Sequence, residues 1–314
     1  MTLDDDLILL QIDLLRHDAH LRRQMMRRLG KAQREALAAL LDGKQDLAVL
    51  RTAYAQAGEW LEEALVGLLP VAAAAFAQVY RKHLGNGFSA PDTFAVPEVY
   101  GASVSAWMTQ QADKQAFILR RLARLGRAGG QDARQIADAV RKAWQSGNAQ
   151  SETLVRTASA QAASDANLAV MLKSRRVQYL IHKSHLDSRT TGVCRMRHNK
   201  RWTKALAPVG HNLEFRQPPL HWNCRSIIKP LLDDQLREED DYDFDEWLEK
   251  MPTPIREKAL GKGKAAIWQA AKAKGQALTI HDLLDQKGRE LTLHELARRY
   301  PDAADTAGYA KYND

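Results

Sequence analysis

Leu7, Leu10, Leu14, Leu21, Met25 and Leu29 recur at steps that fall on one face of a helix, while Arg22, Arg23, Arg27 and Arg28 lie largely off it. Such a stripe needs a partner. It can pack on the following helix of its own chain, through Leu37, Leu40 and Leu41, or fill a groove in a larger assembly, with Leu7, Leu10, Leu14 and Leu21 as the docking residues. A second helical pattern covers about 46–83 and stops at Leu84-Gly85-Asn86-Gly87, so 85–104, with Pro91 and Pro97, reads as a linker. Inside it, Ala64–Ala77 is Ala-rich but holds Gly67 and Pro70 and falls short of the roughly 20 apolar residues of a span, which predicts a buried helix kinked at Pro70 and no membrane crossing. Helical periodicity returns over about 107–125 and 132–144, broken at Gly126 and Gly129-Gly130. Ser146-Gly147-Asn148 then reads as a stop, and Ser151 as the N-cap of a further helix over about 152–173 with Ala158, Ala162, Ala166 and Ala169 on it.

After this the period drops to two. Val177, Tyr179 and Ile181 alternate with Gln178, Leu180 and His182, which fits a strand, and Trp202, Pro208, Gly210 and Pro218-Pro219 suggest further short strands and turns. Beyond Pro252 and Pro254 a helix is predicted over about 255–273, stopped by Gly275, with short helices at 281–284 and 293–300. The fold class expected is α+β and predominantly helical: a helical N-terminal region over 1–145, a small domain with short antiparallel strands over 150–232, and an acidic segment with a helical tail over 233–314. No internal repeat is evident.

Length adds only that about two domains are expected from 314 residues. Asp4-Asp5-Asp6 stands where a signal peptide would carry positive charge, and two cysteines do not make a disulfide framework, so assembly in a reducing compartment is expected. Charge matters once it is located. Lys173–Lys204 holds ten Lys or Arg against Asp187 alone, and Asp233–Glu249 holds ten acids against Arg237 alone. The two runs either neutralise each other or remain solvated, or the basic one faces an acidic partner such as DNA, with Arg175, Arg176, Lys200 and Arg201 as contacts.

Candidate chemistry gathers between His185 and Arg225, where Cys194-x3-His198 and His221-x2-Cys224 contain both cysteines of the chain. Cys194, His198, His221 and Cys224 are a sufficient ligand set for a tetrahedral zinc, although the spacing differs from the usual paired clusters. The other reading is a metal-free knot with buried thiols and with histidines bonded to backbone, so zinc is a candidate and no cofactor is required. His211-Asn212 and His221-x-Asn223 also permit a metal-dependent nuclease acting on DNA, without the strand-turn-helix such a site needs. No Gly-rich phosphate loop and no Ser-His-Asp order is present, and a non-enzymatic protein is expected.

The same stretch carries a resemblance. Asp187-Ser188-Arg189-Thr190-Thr191, then Cys194, then His198-x-Lys200-x-Trp202, then Pro218-Pro219-Leu220-His221-x-Asn223-Cys224-Arg225-Ser226 resembles the minor head, or head-morphogenesis, proteins of tailed phages similar to the Mu F protein. Upstream, Val155-Arg156-Thr157 with Asn167 is similar to the Arg-Thr helix of that family. Downstream, Trp247-Leu248, Leu260-Gly261-Lys262-Gly263-Lys264 and Leu291-Thr292-Leu293-x-Glu295-Leu296 are similar to its closing segment. Asn199 departs from the Gly that many relatives carry there. The resemblance implies a structural motif made of Asp187, Arg189, Thr190, Cys194, His198, Pro218, Pro219, His221, Cys224 and Arg225. It further implies a low-copy virion component bound to the portal on the head interior and added during assembly in the host cytoplasm. Its partners would be the portal protein, the major capsid or scaffold proteins, and packaged double-stranded DNA.

Overall fold

The computed structural model describes residues 3–44, 46–184, 186, 190–232, 244–276, 278–279, 282–283 and 291–312. The chain divides into two compact units, Met1–Arg175 with His221–Cys224, and Arg176–Leu220 with Arg225–Asp314. The expected boundary near 145–150 instead falls in the middle of a helix.

The first unit is built on four long helices: α1 (Leu3–Leu41), α2 (Ala48–Leu84), α3 (Val104–Ala128) and α4 (Ala133–Lys173). Two of the starts are fixed by side chains that satisfy orphan backbone donors. Ser103 accepts from the N–H of Ala106, and Asp132 forms a reciprocal capping box with Gln135. α2 is long and apolar enough to cross a membrane by composition, yet its buried residues recur from Leu50 to Tyr80, the pattern of a core helix, and it runs unbroken through an exposed Pro70.

Two sequence stops fail in this unit for the same reason. Gly126 lies inside α3, where a Cβ would come within 2.8 Å of Ile136 on α4. Gly147 lies inside α4, where a Cβ would come within 2.5 Å of the Gln115 amide. These glycines let α3 and α4 approach closely, and the carbonyl of Gly147 accepts from Gln111 Nε2 at 2.5 Å. Asn148 accepts from Gln33 on α1. Ser146-Gly147-Asn148 is therefore a packing device, and Ser151 is a fully buried mid-helix residue, not an N-cap.

The second unit carries an antiparallel sheet in the order β3-β2-β1-β4, with β1 at Tyr179–Lys183, β2 at Arg201–Thr203, β3 at Pro208–Val209 and β4 at Ile227–Leu231. The strand predicted over 177–182 is β1, and its Leu180 pairs with Trp202 on one side and Pro230 on the other. A single turn of helix, α5 (Gly192–Arg195), follows β1. The tail supplies α6 (Phe244–Lys250), α7 (Thr253–Leu260), α8 (Lys262–Ala273), α9 (Leu293–Arg299) and α10 (Pro301–Thr306). The one helix expected over 255–273 is thus two. Gly261 sits at φ +82°, a left-handed conformation that ends α7 and opens α8. Of the helix expected at 281–284, residues 282–283 form a turn and the ends lie outside the described residues. Trp247, Leu248, Ile267, Trp268 and Leu296 make the tail's core, and Met196 from the segment after α5 belongs to it. The tail and the small sheet domain, expected as separate regions, therefore fold as one unit.

Candidate functional site

In the second unit the motif is organised on Ser184, at the end of β1. Its N–H donates to Nδ1 of His198 at 2.9 Å, and its hydroxyl donates to the carbonyl of Cys194 at 2.9 Å and lies 3.0 Å from the hydroxyl of Ser226. Cys194, His198 and Thr190 are buried, as are Pro218 and Pro219, whereas Arg225 is exposed. Asp187 and Arg189 lie outside the described residues. Asn199 takes φ +60°. Asparagine tolerates the left-handed region better than other non-glycine residues, so the turn survives the absent glycine.

Two cations of the basic run are interior. Arg195, 3% exposed, donates from Nη2 to the carbonyl of Ala259 on α7 and stands over the Phe244 ring of α6 at 4.6 Å. Arg197 is 4% exposed, and burial, reinforced by nearby Arg216, pushes its pKa down. Trp202 fills the core beside the sheet, donating its indole N–H to Leu213 and meeting His211 and Phe215 edge-on. His211 places Nε2 2.8 Å from the carbonyl of Arg201 and accepts the N–H of Leu213 at Nδ1. With both ring nitrogens engaged by backbone, His211 has no nitrogen left to act as a base.

In the first unit, His221–Cys224 is a turn closed by the Cys224 N–H on the His221 carbonyl. Asn223, at φ +60°, accepts from Arg156 Nη1 at 2.6 Å, and its N–H donates to the Thr157 hydroxyl at 3.4 Å. Trp222 meets Tyr100 and Trp107 edge-on, with ring centroids 5.1 and 5.5 Å away. Arg156 is oriented from behind. Its Nε lies 4.0 Å from Asp18 Oδ2, to which Arg22 also donates at 3.1 Å. Burial raises the Asp18 pKa against the pull of Arg22 and Arg156, because its side chain is only 4% exposed and Oδ1 has no hydrogen-bond partner among the described residues. The Arg156-Thr157 pair on α4 and Asn223 on the turn, far apart in sequence, are two halves of one clasp.

Residues 119–229 match the model of the family described as Phage Mu protein F like protein. This segment is similar to the Mu F-like proteins of phages. Neither a curated protein nor a solved structure matches the chain. The matched segment begins well before the expected residue 150, inside α3, and contains all of α4, α5 and β1–β3 and the clasp, ending within β4. Among the described residues of the motif, Cys194 and His198 bond Ser184, and Asn223 bonds Arg156 and Thr157. Sequence reasoning missed the roles of Arg195 and Trp222. Its place between Cys194 and Met196 was the available signal for the first, and nothing local marked the second.

In α1, Leu7 and Leu21 are 3% exposed and belong to the first unit's own core, while Leu10 and Leu14 are half-buried. Arg175 and Arg176 are exposed, and Lys200 and Arg201 are half-buried in the second unit. Most of the acidic run, 233–243, lies outside the described residues.

Proposed function

We propose that this chain is a non-enzymatic minor head protein of a tailed bacteriophage, bound to the portal on the head interior, where it assists head assembly and genome delivery. The observation that carries the reading is the Mu F-like match over 119–229, within which the residues of the motif take structural parts: Asn223 clasped by Arg156, and Ser184 bonded to His198 and Cys194. The partners in this reading are the portal protein, the major capsid or scaffold proteins during assembly in the host cytoplasm, and packaged double-stranded DNA. Leu10 and Leu14 are the part of the α1 stripe left for docking, with Leu7 and Leu21 already in the core. A localised reconstruction of the virion around the portal tests the proposal; density for the α1–α4 bundle elsewhere in the particle, or none in it, refutes it.

DNA contact is the part of the proposal that rests on Arg175, Arg176, Lys200 and Arg201. Phosphate contacts release counterions, so binding to duplex DNA is expected to be weak, independent of sequence and steeply reduced by salt. Reversing these four side chains to Glu abolishes it if they are the contacts, and unchanged binding across a salt series removes DNA from the partners. The competing reading, a metal-dependent nuclease, loses His211 to its backbone bonds; plasmid cleavage with Mg, Mn or Zn would restore it. No cofactor is required in this function. Structural zinc on Cys194, His198, His221 and Cys224 is a separate proposal in which His198 could offer only Nε2, since Nδ1 accepts from Ser184. One zinc per chain in protein purified without chelator, lost in Cys194→Ser, decides for it, and substoichiometric metal decides against.

A further inference from the structure

Gln110, Lys114, Phe117, Arg121 and Arg124 on α3 recur at three- and four-residue steps and are all exposed, so they share one outward face. Phe117 is 65% exposed and Leu125 57%. Two large apolar side chains thus stand bare on one helix face, about two turns apart, among its cations. Charge indicates what fits it. α3 carries five Lys or Arg against Asp113 alone, and Asp113 is paired to Arg51 at 2.6 Å. Lys114, Arg121 and Arg124 have no ion-pair partner among the described residues.

Beside the N-terminal half of this face lies a cleft of about 590 Å³, lined on α3 by Trp107, Gln110 and Lys114, on α4 by Ala149 and Thr153, and closed by Trp222. Trp222 is 39% exposed and held edge-on by Trp107 and by Tyr100, itself 43% exposed, so it presents an aromatic wall in a fixed pose. The indole of Trp107 is anchored in turn, donating to the carbonyl of Val99 at 2.8 Å.

We propose that the cleft and the outward face of α3 dock an acidic amphipathic helix of a partner protein. Its apolar stripe covers Phe117 and Leu125 and seats one large side chain against Trp222, and its acidic flank faces Lys114, Arg121 and Arg124. From Trp107 to Leu125 the face is about 27 Å long, matching a helix of about five turns. Duplex DNA fits the cations but leaves Phe117 and Leu125 with no apolar partner, which is why a protein helix is the occupant. The chemistry of this face does not depend on the head-protein reading.

The test uses the full chain and labelled synthetic helices of about five turns. One carries leucines along one stripe and Glu elsewhere, a second has Lys in place of Glu, and a third has the Glu composition with the leucines scattered. A short duplex DNA is the fourth probe, and fluorescence anisotropy reads binding. Among the three helices only the striped Glu helix is expected to bind, at micromolar affinity, and Lys114→Glu with Phe117→Ser should weaken it at least tenfold, whereas any weak duplex binding through Arg175, Arg176, Lys200 and Arg201 should be unchanged in that variant. Both side chains are exposed, so the melting temperature of the variant should not change. Lack of binding by the striped Glu helix, equal binding by the Lys helix, or equal binding by the variant overturns the proposal. Duplex DNA that binds and is lost in the same variant also overturns it, making the face a nucleic-acid surface.

Discussion

Arg156 on α4 donates to the side-chain oxygen of Asn223 across 2.6 Å, and those two residues are 67 positions apart in the chain. The bond fastens the His221–Cys224 turn to the helix at a residue whose φ of +60° suits asparagine or glycine. Behind it stands Asp18, shared by Arg156 and Arg22, so the clasp on α4 is also tied to α1. A motif that reads as one loop thus depends on a helix that precedes it.

Asn223→Ala is expected to cost about 1–2 kcal/mol, combining an exposed charge-assisted hydrogen bond with a left-handed conformation that alanine resists. Asn223→Gly keeps the conformation and loses only the bond, so it should cost less. Urea denaturation of the three proteins checks the order, and an equal loss for Ala and Gly would show that the backbone conformation is not part of the effect.

Gly147→Ala should destabilise the first unit by about 1–3 kcal/mol, because the new methyl meets the end of the Gln115 side chain at 2.5 Å and this buried amide must shift within a packed core. Gly67→Ala in α2 is the control. It meets nothing within 4 Å and should stabilise by about 0.5–1 kcal/mol through helix propensity alone. Thermal melts of both variants should therefore move in opposite directions.

Arg195→Ala removes a buried donor from the Ala259 carbonyl and a cation from the Phe244 ring, and should cost about 2–4 kcal/mol in the second unit. Because those partners lie on α7 and α6, the tail should loosen first. Limited proteolysis is expected to cut within 244–260 sooner than in the parent protein, and an unchanged cleavage pattern would place the loss elsewhere.

Asp6 accepts from Lys82 at 2.5 Å and from His83 at 2.7 Å, and these bonds, the lysine's first, hold its carboxyl below the usual carboxylate pKa of 3.8. A depressed acid stabilises the fold fully above its unfolded pKa and ceases to as pH falls through the folded value. The melting-temperature gap between the parent and Asp6→Asn should accordingly be constant above about pH 5 and close as pH drops below about 3.8. A gap that widens on acidification would contradict the ion pairs.

The local pattern of the chain determined a good deal by itself. The 3.6-residue period set out the helical first half, the shift to period two at Val177 located β1, and glycines with following prolines bounded the 85–104 linker, since these depend on backbone geometry and neighbouring residues alone. The Cys/His motif likewise carried the resemblance to the Mu F-like proteins, because it is a set of residue types in order. Only tertiary structure decided the rest. Gly147 and Gly126 stop a helix by propensity but here admit a neighbouring helix, and the gain from packing outweighs a propensity cost of about 1 kcal/mol each. Arg195 reads as part of a solvated basic run and is interior, because the tail supplies a carbonyl and an aromatic ring that no nearby position announces. Trp222 reads as an unremarked residue between His221 and Asn223 and becomes the wall of a cleft once Tyr100 and Trp107 stand beside it. In each case the deciding partner lies far along the chain, or its approach is set by packing that a local pattern does not encode.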